Sequence, residues 1–308
     1  MTTADLEKHI ATFLLMHGPL TGRQLSEKIG DVDPVLLWKT CYQSELFRVI
    51  NFARYYLRYD VTRDDMIRLS PSVLRDFLSF TLIYIAGQRS DATDMAAELA
   101  NKHRLISLKK LKFARNTLLS LSPDILEKLH YKACCFIAGD ISYFLAHEEP
   151  RIHEPTGAQL YGSDIDIIVV HENDMDPDLI KRAEDEVLSY KHRCIKDPII
   201  GQEIDFIFKP VQKMLSQFTY ADIHQKIACK ILYESFFLYG RLDLYEKLTT
   251  DLEFSGTVKK IEDDFATALA GRKATIKKLL SLPQGDLADM DANTQSLFYF
   301  SQERLEFQ

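Results

Sequence analysis

Apolar residues recur at helical spacing from the start of the chain. Leu6, Ile10, Phe13 and Leu14 predict a helix over residues 6–16, and after Gly18-Pro19 a second short helix is predicted over 21–29, with Thr21 as its N-cap. A third begins near Asp33-Pro34, an N-cap followed by proline at the first helical position, and carries Leu36, Leu37, Trp38 and Tyr42. The pattern then shortens. Phe47 to Ile50 and Tyr55 to Tyr59 are rich in aromatic and β-branched residues and predict two strands around a turn at residues 51–53. Ser70-Pro71 opens a further predicted helix, with Leu74, Phe77, Leu78, Leu82 and Ile85 on one face, before a polar break at residues 87–94. Leu105, Leu108, Leu111 and Leu118 supply the apolar side of the next helical stretch. From Ala133 to Ala138 the chain is continuously apolar, as a buried strand is, and it ends in Gly139-Asp140 ahead of a predicted helix over 141–147. Ile165 to Val170 and Ile204 to Phe208 predict two more strands, and the chain reads as helical from about Val211.

These elements predict an α+β chain of four parts: 1–69, 70–128 as a helical connector, 129–210 with a small mixed sheet, and 211–308 as a helical region. The first part, three helices and then a hairpin, resembles a winged helix. Residues 21–68 hold eight Lys and Arg against seven acids, a balance too even to assign DNA binding, and winged helices also dock proteins, so DNA contact stays open.

Composition narrows the class. The 308 residues are 46% hydrophobic and 27% charged, with 12 Gly and 10 Pro, which excludes disordered and collagen-like chains. The longest apolar stretch, Phe77 to Ala86, is interrupted by Ser79 and Thr81 and falls short of a membrane span, and residues 1–10 carry Asp5 and Glu7 and lack an apolar signal core. Five cysteines with no C-x-x-C fit core thiols in a reducing compartment, so a soluble cytoplasmic protein with no membrane partner is expected. Charge divides the chain: Met1 to Ala138 hold 19 Lys and Arg against 15 Asp and Glu, whereas Gly139 to Gln308 hold 19 against 30. No acid lies between Glu98 and Asp124, a gap holding six basic residues, among them Lys109, Lys110 and Lys112, which are the candidate contacts to an acceptor's phosphates. The same residues also fit a solvated helix face.

The acidic part carries the chemistry. In Tyr161-Gly162-Ser163-Asp164-Ile165-Asp166-Ile167, strand alternation points Asp164 and Asp166 one way and the isoleucines into a core. Asp205 sits in a matching context, Glu203-Ile204-Asp205-Phe206. Three aspartates on strand edges repel one another unless their pKa values rise or cations hold them, and oxygen-only ligands select Mg²⁺ or Mn²⁺ over zinc. Two such ions are the usual clamp for in-line phosphoryl or nucleotidyl transfer. The strand, Gly139-Asp140 turn and following residues have the order that aims backbone N–H groups at an anion.

Gly139, Gly162-Ser163-Asp164-Ile165-Asp166 and Ile204-Asp205-Phe206 together resemble the signature of the polymerase-β-like nucleotidyltransferase superfamily, above all its small bacterial members; the match covers about residues 132–210. The resemblance implies that Asp164 and Asp166 bind two metal ions and that Asp205 binds the catalytic ion and helps activate the attacking hydroxyl. It implies nucleotide contacts from Gly139, Asp140, Gly162 and Ser163, and triphosphate contacts from Lys226 and Lys230, which lie one helical turn apart. Two departures stand out. The family's first turn is Gly-Ser where this chain has Gly139-Asp140, and the long spacing to Asp164 leaves an insertion over 147–160, holding Arg151, His153 and Glu154, that is an active-site flap or a surface loop. The implied function is transfer of an NMP from an NTP such as ATP to a hydroxyl of RNA, tRNA above all, or of a protein, in a toxin or antiviral role. A DNA-binding regulator that senses nucleotide through the same fold is the alternative. A glycosyltransferase D-x-D is disfavoured, because there an apolar strand runs into the motif and here it follows.

Overall fold

A computed structural model describes residues 2–60, 66–153, 155–282 and 298. The chain divides into two units, one of Met1–Arg58, Arg68–Lys102 and Phe265–Gln308, the other of Tyr59–Ile67 and His103–Asp264. Beyond residue 282 the helical region expected to reach residue 308 lies, except for Phe298, outside the described residues, as does Glu154 of the insertion.

In the first unit the helical spacing at the N-terminus becomes α1 (Thr3–His17), started by a Thr2/Asp5 capping box, with Leu6, Ile10 and Leu14 fully buried. The short strand β1 (Leu20–Thr21) leads into α2 (Gly22–Ile29), where Thr21 and Gln24 form a second capping box. Asp33 caps α3 (Pro34–Gln43), which adds Leu37, Trp38 and Cys41 to the core. Here the structure departs from the sequence pattern. β2 (Phe47–Asn51) does not fold back on the next strand; it pairs antiparallel with a distant one, while β3 (Tyr56–Asp60) joins β4 (Met66–Ser70) in a separate two-stranded ladder. The helix expected through Ile85 stops early. α4 covers Val73–Phe80, and Thr81–Ile85 becomes β5, the central strand of a β1-β5-β2 sheet. Thr81 and Ile83 are β-branched, and five residues of ladder with β2 outweigh local helical spacing.

A buried ion pair fixes this region: Arg272 Nη2 donates to Asp76 at 2.6 Å and Nη1 to the Pro71 carbonyl at 2.7 Å, while Asp76 also accepts from Tyr55 at 2.7 Å and from Asn51. The long helix α5 (Arg89–Leu119) carries the chain into the second unit.

The second unit is built on a four-stranded sheet. After α6 (Pro123–Lys132) comes β6 (Ala133–Ile137), buried at every position; a small β7–β8 hairpin (Pro150–Ile152, Gln159–Tyr161) precedes β9 (Ile165–His171). The crossover helix α7 (Pro177–Lys196) returns the chain so that β10 (Ile204–Pro210) lies parallel to β9, as a parallel pair requires. Then α8 (Val211–Ser216) and α9 (Ile223–Tyr233) lead to β11 (Phe236–Gly240), which closes the order β10-β9-β6-β11 ahead of α10 (Leu242–Phe254); α11 (Thr257–Ser281) starts in this unit and from Phe265 belongs to the first. Ile165, Ile167 and Val169 of β9, Cys135 and Ile137 of β6 and Ile204 of β10 sit in one core. The helix expected over 141–147 is a single 3-10 turn at Gly139–Ile141, and Phe144 takes a φ of 59° that a continuing α-helix excludes. All five cysteines are buried free thiols, and no helix among the described residues is long and apolar enough to cross a membrane.

Candidate active site

The parallel pairing of β9 and β10 does what the sequence could only suggest: Asp166 stands directly opposite Asp205, with Ile165 opposite Ile204 and Ile167 opposite Phe206. In-register neighbours on parallel strands project to the same face, so the two carboxylates share one side of the sheet. Asp164 precedes β9 in a tight bend. Gly162 there has φ 73°, and a Cβ would lie 1.6 Å from the His147 carbonyl oxygen, so only glycine fits. Lys110 of α5 fastens the bend from within, its ammonium donating to the carbonyls of Tyr161 at 3.1 Å and Ser163 at 2.8 Å and to the Gln202 side chain. Ser163 in turn donates its hydroxyl proton to Asp140 Oδ2 at 2.8 Å, which ties the first turn to the second.

Cations already face the acids. Arg151, from the β7–β8 hairpin, donates through Nη2 to Asp164 and, at 2.8 Å, to Glu203. Lys191 of α7 lies 2.6 Å from Asp205 and 3.3 Å from Glu203, and His153 Nε2 is 3.6 Å from Glu203. Asp166 keeps an exposed edge, yet protein packed round its carboxyl, with the charges of Asp205 and Glu203 added, pushes it up to about 6 against the opposing pull of Lys191 and Lys230. The donor chemistry, oxygen-only with one carboxyl raised by burial and by its acidic neighbours, is that of a hard divalent cation. The arrangement is not yet that of a metal cage: among the described residues no three His, Cys, Asp or Glu side chains converge closely enough to hold an ion.

The Gly139 turn also has an anion in place, from within the chain. Gly139 N–H donates to Glu234 Oε1 at 3.1 Å, and the same oxygen receives Lys230 Nζ at 2.6 Å. Burial pushes the Glu234 carboxyl up, with Lys230 opposing, and its Oε2 is buried without a hydrogen bond. Lys226 turns elsewhere, 3.8 Å from Asp264 and over the Tyr220 ring. Of the three acceptor candidates, Lys112 is exposed and Lys109 reaches Glu148 at 3.7 Å. Lys110 is corrected. At 5% exposure it cannot meet a phosphate, because the apolar stripe of α5 carries it inward, and its ammonium is committed to the Gly162 bend.

No motif marks Lys191 or Glu234 in the sequence, where Arg151 is visible only as a basic residue of the insertion and Glu203 as an acid two positions before Asp205.

No protein-family model matches the chain, and no curated protein does. Among solved structures it is similar to a chain from a crystal structure of a toxin-antitoxin with AMP-PNP, at 14% identity over 54% of this chain and 98% of that one, with a TM-score of 0.25. A likeness so shallow carries no argument, and the site's chemistry rests on its own residues.

Proposed function

We propose that the chain is a metal-dependent nucleotidyltransferase of the polymerase-β-like type, moving an NMP from an NTP to a hydroxyl of a macromolecular acceptor. The observation that carries this reading is the register of Asp166 opposite Asp205, with Asp164 at the mouth of the same strand behind a glycine bend. Asp164, Asp166 and Asp205 would hold two Mg²⁺ or Mn²⁺ ions, which when bound supply positive charge at the triphosphate. Asp205, at the open edge strand, is the residue to accept the proton of the attacking hydroxyl as oxygen bonds to the α-phosphorus and pyrophosphate leaves. Gly139, Asp140, Gly162 and Ser163 form the two linked turns beside the acids, and Lys230 stands close enough for its charge to act on Asp166.

The first unit supports a winged-helix reading with a different wing. Its order is helix, strand, two helices and two strands in a β1-β5-β2 sheet, with β3, β4 and α4 occupying the connection between β2 and β5. Such a unit, together with exposed Lys102, Lys109 and Lys112, suits a large acceptor, RNA or protein, better than a small molecule. The regulator that only senses nucleotide is favoured by one observation, the hold of Arg151 and Lys191 on the acids.

Incubating the chain with each labelled NTP and Mg²⁺ or Mn²⁺ in a cell extract tests the proposal. Label should enter RNA or protein. Asp164→Asn and Asp166→Asn should remove transfer, and Asp205→Asn should lower it by about 10² to 10⁴-fold. Full metal-dependent transfer by Asp166→Asn would refute the assignment.

A further inference from the structure

The carboxylates that would receive metal are partly neutralised by a guanidinium and an ammonium, those of Arg151 and Lys191. Arg151 donates to both Asp164 and Glu203, and its Nε also donates to the Gly162 carbonyl at 3.3 Å, so the guanidinium is aimed by the β7–β8 hairpin and the bend together. Glu203, 15% exposed, is the hub: Arg151, Lys191 and His153 all reach it. Arg151 and Lys191 thus pair with three carboxylates, Asp164, Glu203 and Asp205, while Asp166 beside them makes no direct ion pair with either and feels the charges of Lys191 and Lys230 from further off. A metal ion at Asp164 would have to share that carboxylate with the Arg151 Nη2 donor, whose positive charge opposes a cation there.

We infer that Arg151 is a built-in competitor of the metal: it covers Asp164 in the resting chain, yields that carboxylate to the ion, and is kept at the rim by Glu203. This inference rests on the reading that the aspartates bind divalent ions. At the rim the guanidinium, with its planar pair of donors, is placed to take a phosphate oxygen pair of a bound nucleoside triphosphate. The same contact therefore closes the empty site and supplies a binding group to the filled one. Arg151 is in this sense a positioning residue for metal and a binding residue for nucleotide.

The test is Mn²⁺ titration of the full chain by calorimetry, with binding of a non-hydrolysable nucleoside triphosphate as the second measurement. Arg151→Gln should bind Mn²⁺ roughly 2- to 5-fold more tightly than the natural chain, since removing a partly exposed ion pair frees that much competition. In Mn²⁺ it should bind the triphosphate more weakly. Arg151→Lys keeps the charge without the fork and should hold Mn²⁺ affinity within about 2-fold of the natural chain while still weakening the triphosphate; it also serves if Arg151→Gln fails to fold. Equal or weaker Mn²⁺ binding by Arg151→Gln, with Asp166→Asn abolishing binding, overturns the inference and leaves the active-site reading standing. Mn²⁺ binding that Asp166→Asn does not reduce, or no binding by the natural chain, overturns both.

Discussion

Replacing Lys110 by methionine separates scaffold from recognition on α5. The change keeps the length of the side chain and deletes its ammonium, which removes donors from the Tyr161 and Ser163 carbonyls and from the Gln202 side chain. Hydrogen bonds from a charged donor contribute about 1.5–3 kcal/mol each, and the loss is offset by the burial penalty the ammonium no longer incurs. The net expectation is a loss of about 2–4 kcal/mol, or a melting temperature lower by roughly 5–15 °C for a unit of this size. Urea and thermal denaturation followed by circular dichroism measure it, with Lys112→Met as the exposed control, expected to change stability by no more than about 0.5 kcal/mol. Burial pushes the Lys110 amine down to about 8, with Glu148 opposing. Because the unfolded chain then binds the extra proton between pH 8 and the ordinary lysine range, the natural chain should gain stability over Lys110→Met as pH rises through that window. If Lys110→Met is as stable as Lys112→Met, the anchoring role assigned to Lys110 is wrong.

The raised carboxyl of Asp166 sets a second pH dependence: stability of the metal-free chain should fall as pH climbs from about 4 through 6, and the thermal shift produced by Mn²⁺ should grow over the same range. A shift of the same size at pH 5 and pH 7.5 would count against Asp166 as a ligand. In the first unit, Arg272→Met leaves Asp76 buried with Tyr55 and Asn51 as its side-chain donors among the described residues and should cost about 3–5 kcal/mol. A loss below about 1 kcal/mol in denaturant titration would show that the pair contributes little.

Elements with a clean period were legible. α1, α2 and α3 follow their apolar spacing and caps, β6 coincides with an uninterrupted apolar run, and β9 and β10 contain the apolar stretches interrupted by Asp166 and Asp205. The errors share a cause, which is that pairing partners far along the chain leave no local mark. Thr81–Ile85 continues the apolar run of α4 with no glycine or proline between, and only the ladder with β2 makes it a strand. β2 and β3 look like a hairpin because they are adjacent in sequence, yet each finds its partner elsewhere. At the site, the repeated context around Asp166 and Asp205 announced two matching strands. The ion pairs of Arg151 and Lys191 could not be read, since a long side chain carries its charge to a partner that no spacing rule connects. Lys110 hides for the opposite reason: a lysine in a basic run looks solvated until the helix phase turns it inward.

The parallel partnership of β9 and β10 also dictates an order of assembly. No tight turn can join parallel neighbours, so the residues of the α7 crossover have to be synthesised before β10 can reach its place. A nascent chain that has emerged only as far as α7 holds Ile165–His171 with one edge bare, a strand of seven residues that is mostly apolar, lacks proline and has Asp166 as its one acid. Such an edge is a template for pairing with other chains. β10 covers it and ends on Lys209-Pro210, residues that discourage any further strand from adding outside. The segment that brings Asp205 to Asp166 is thus also the one that covers the bare edge of β9.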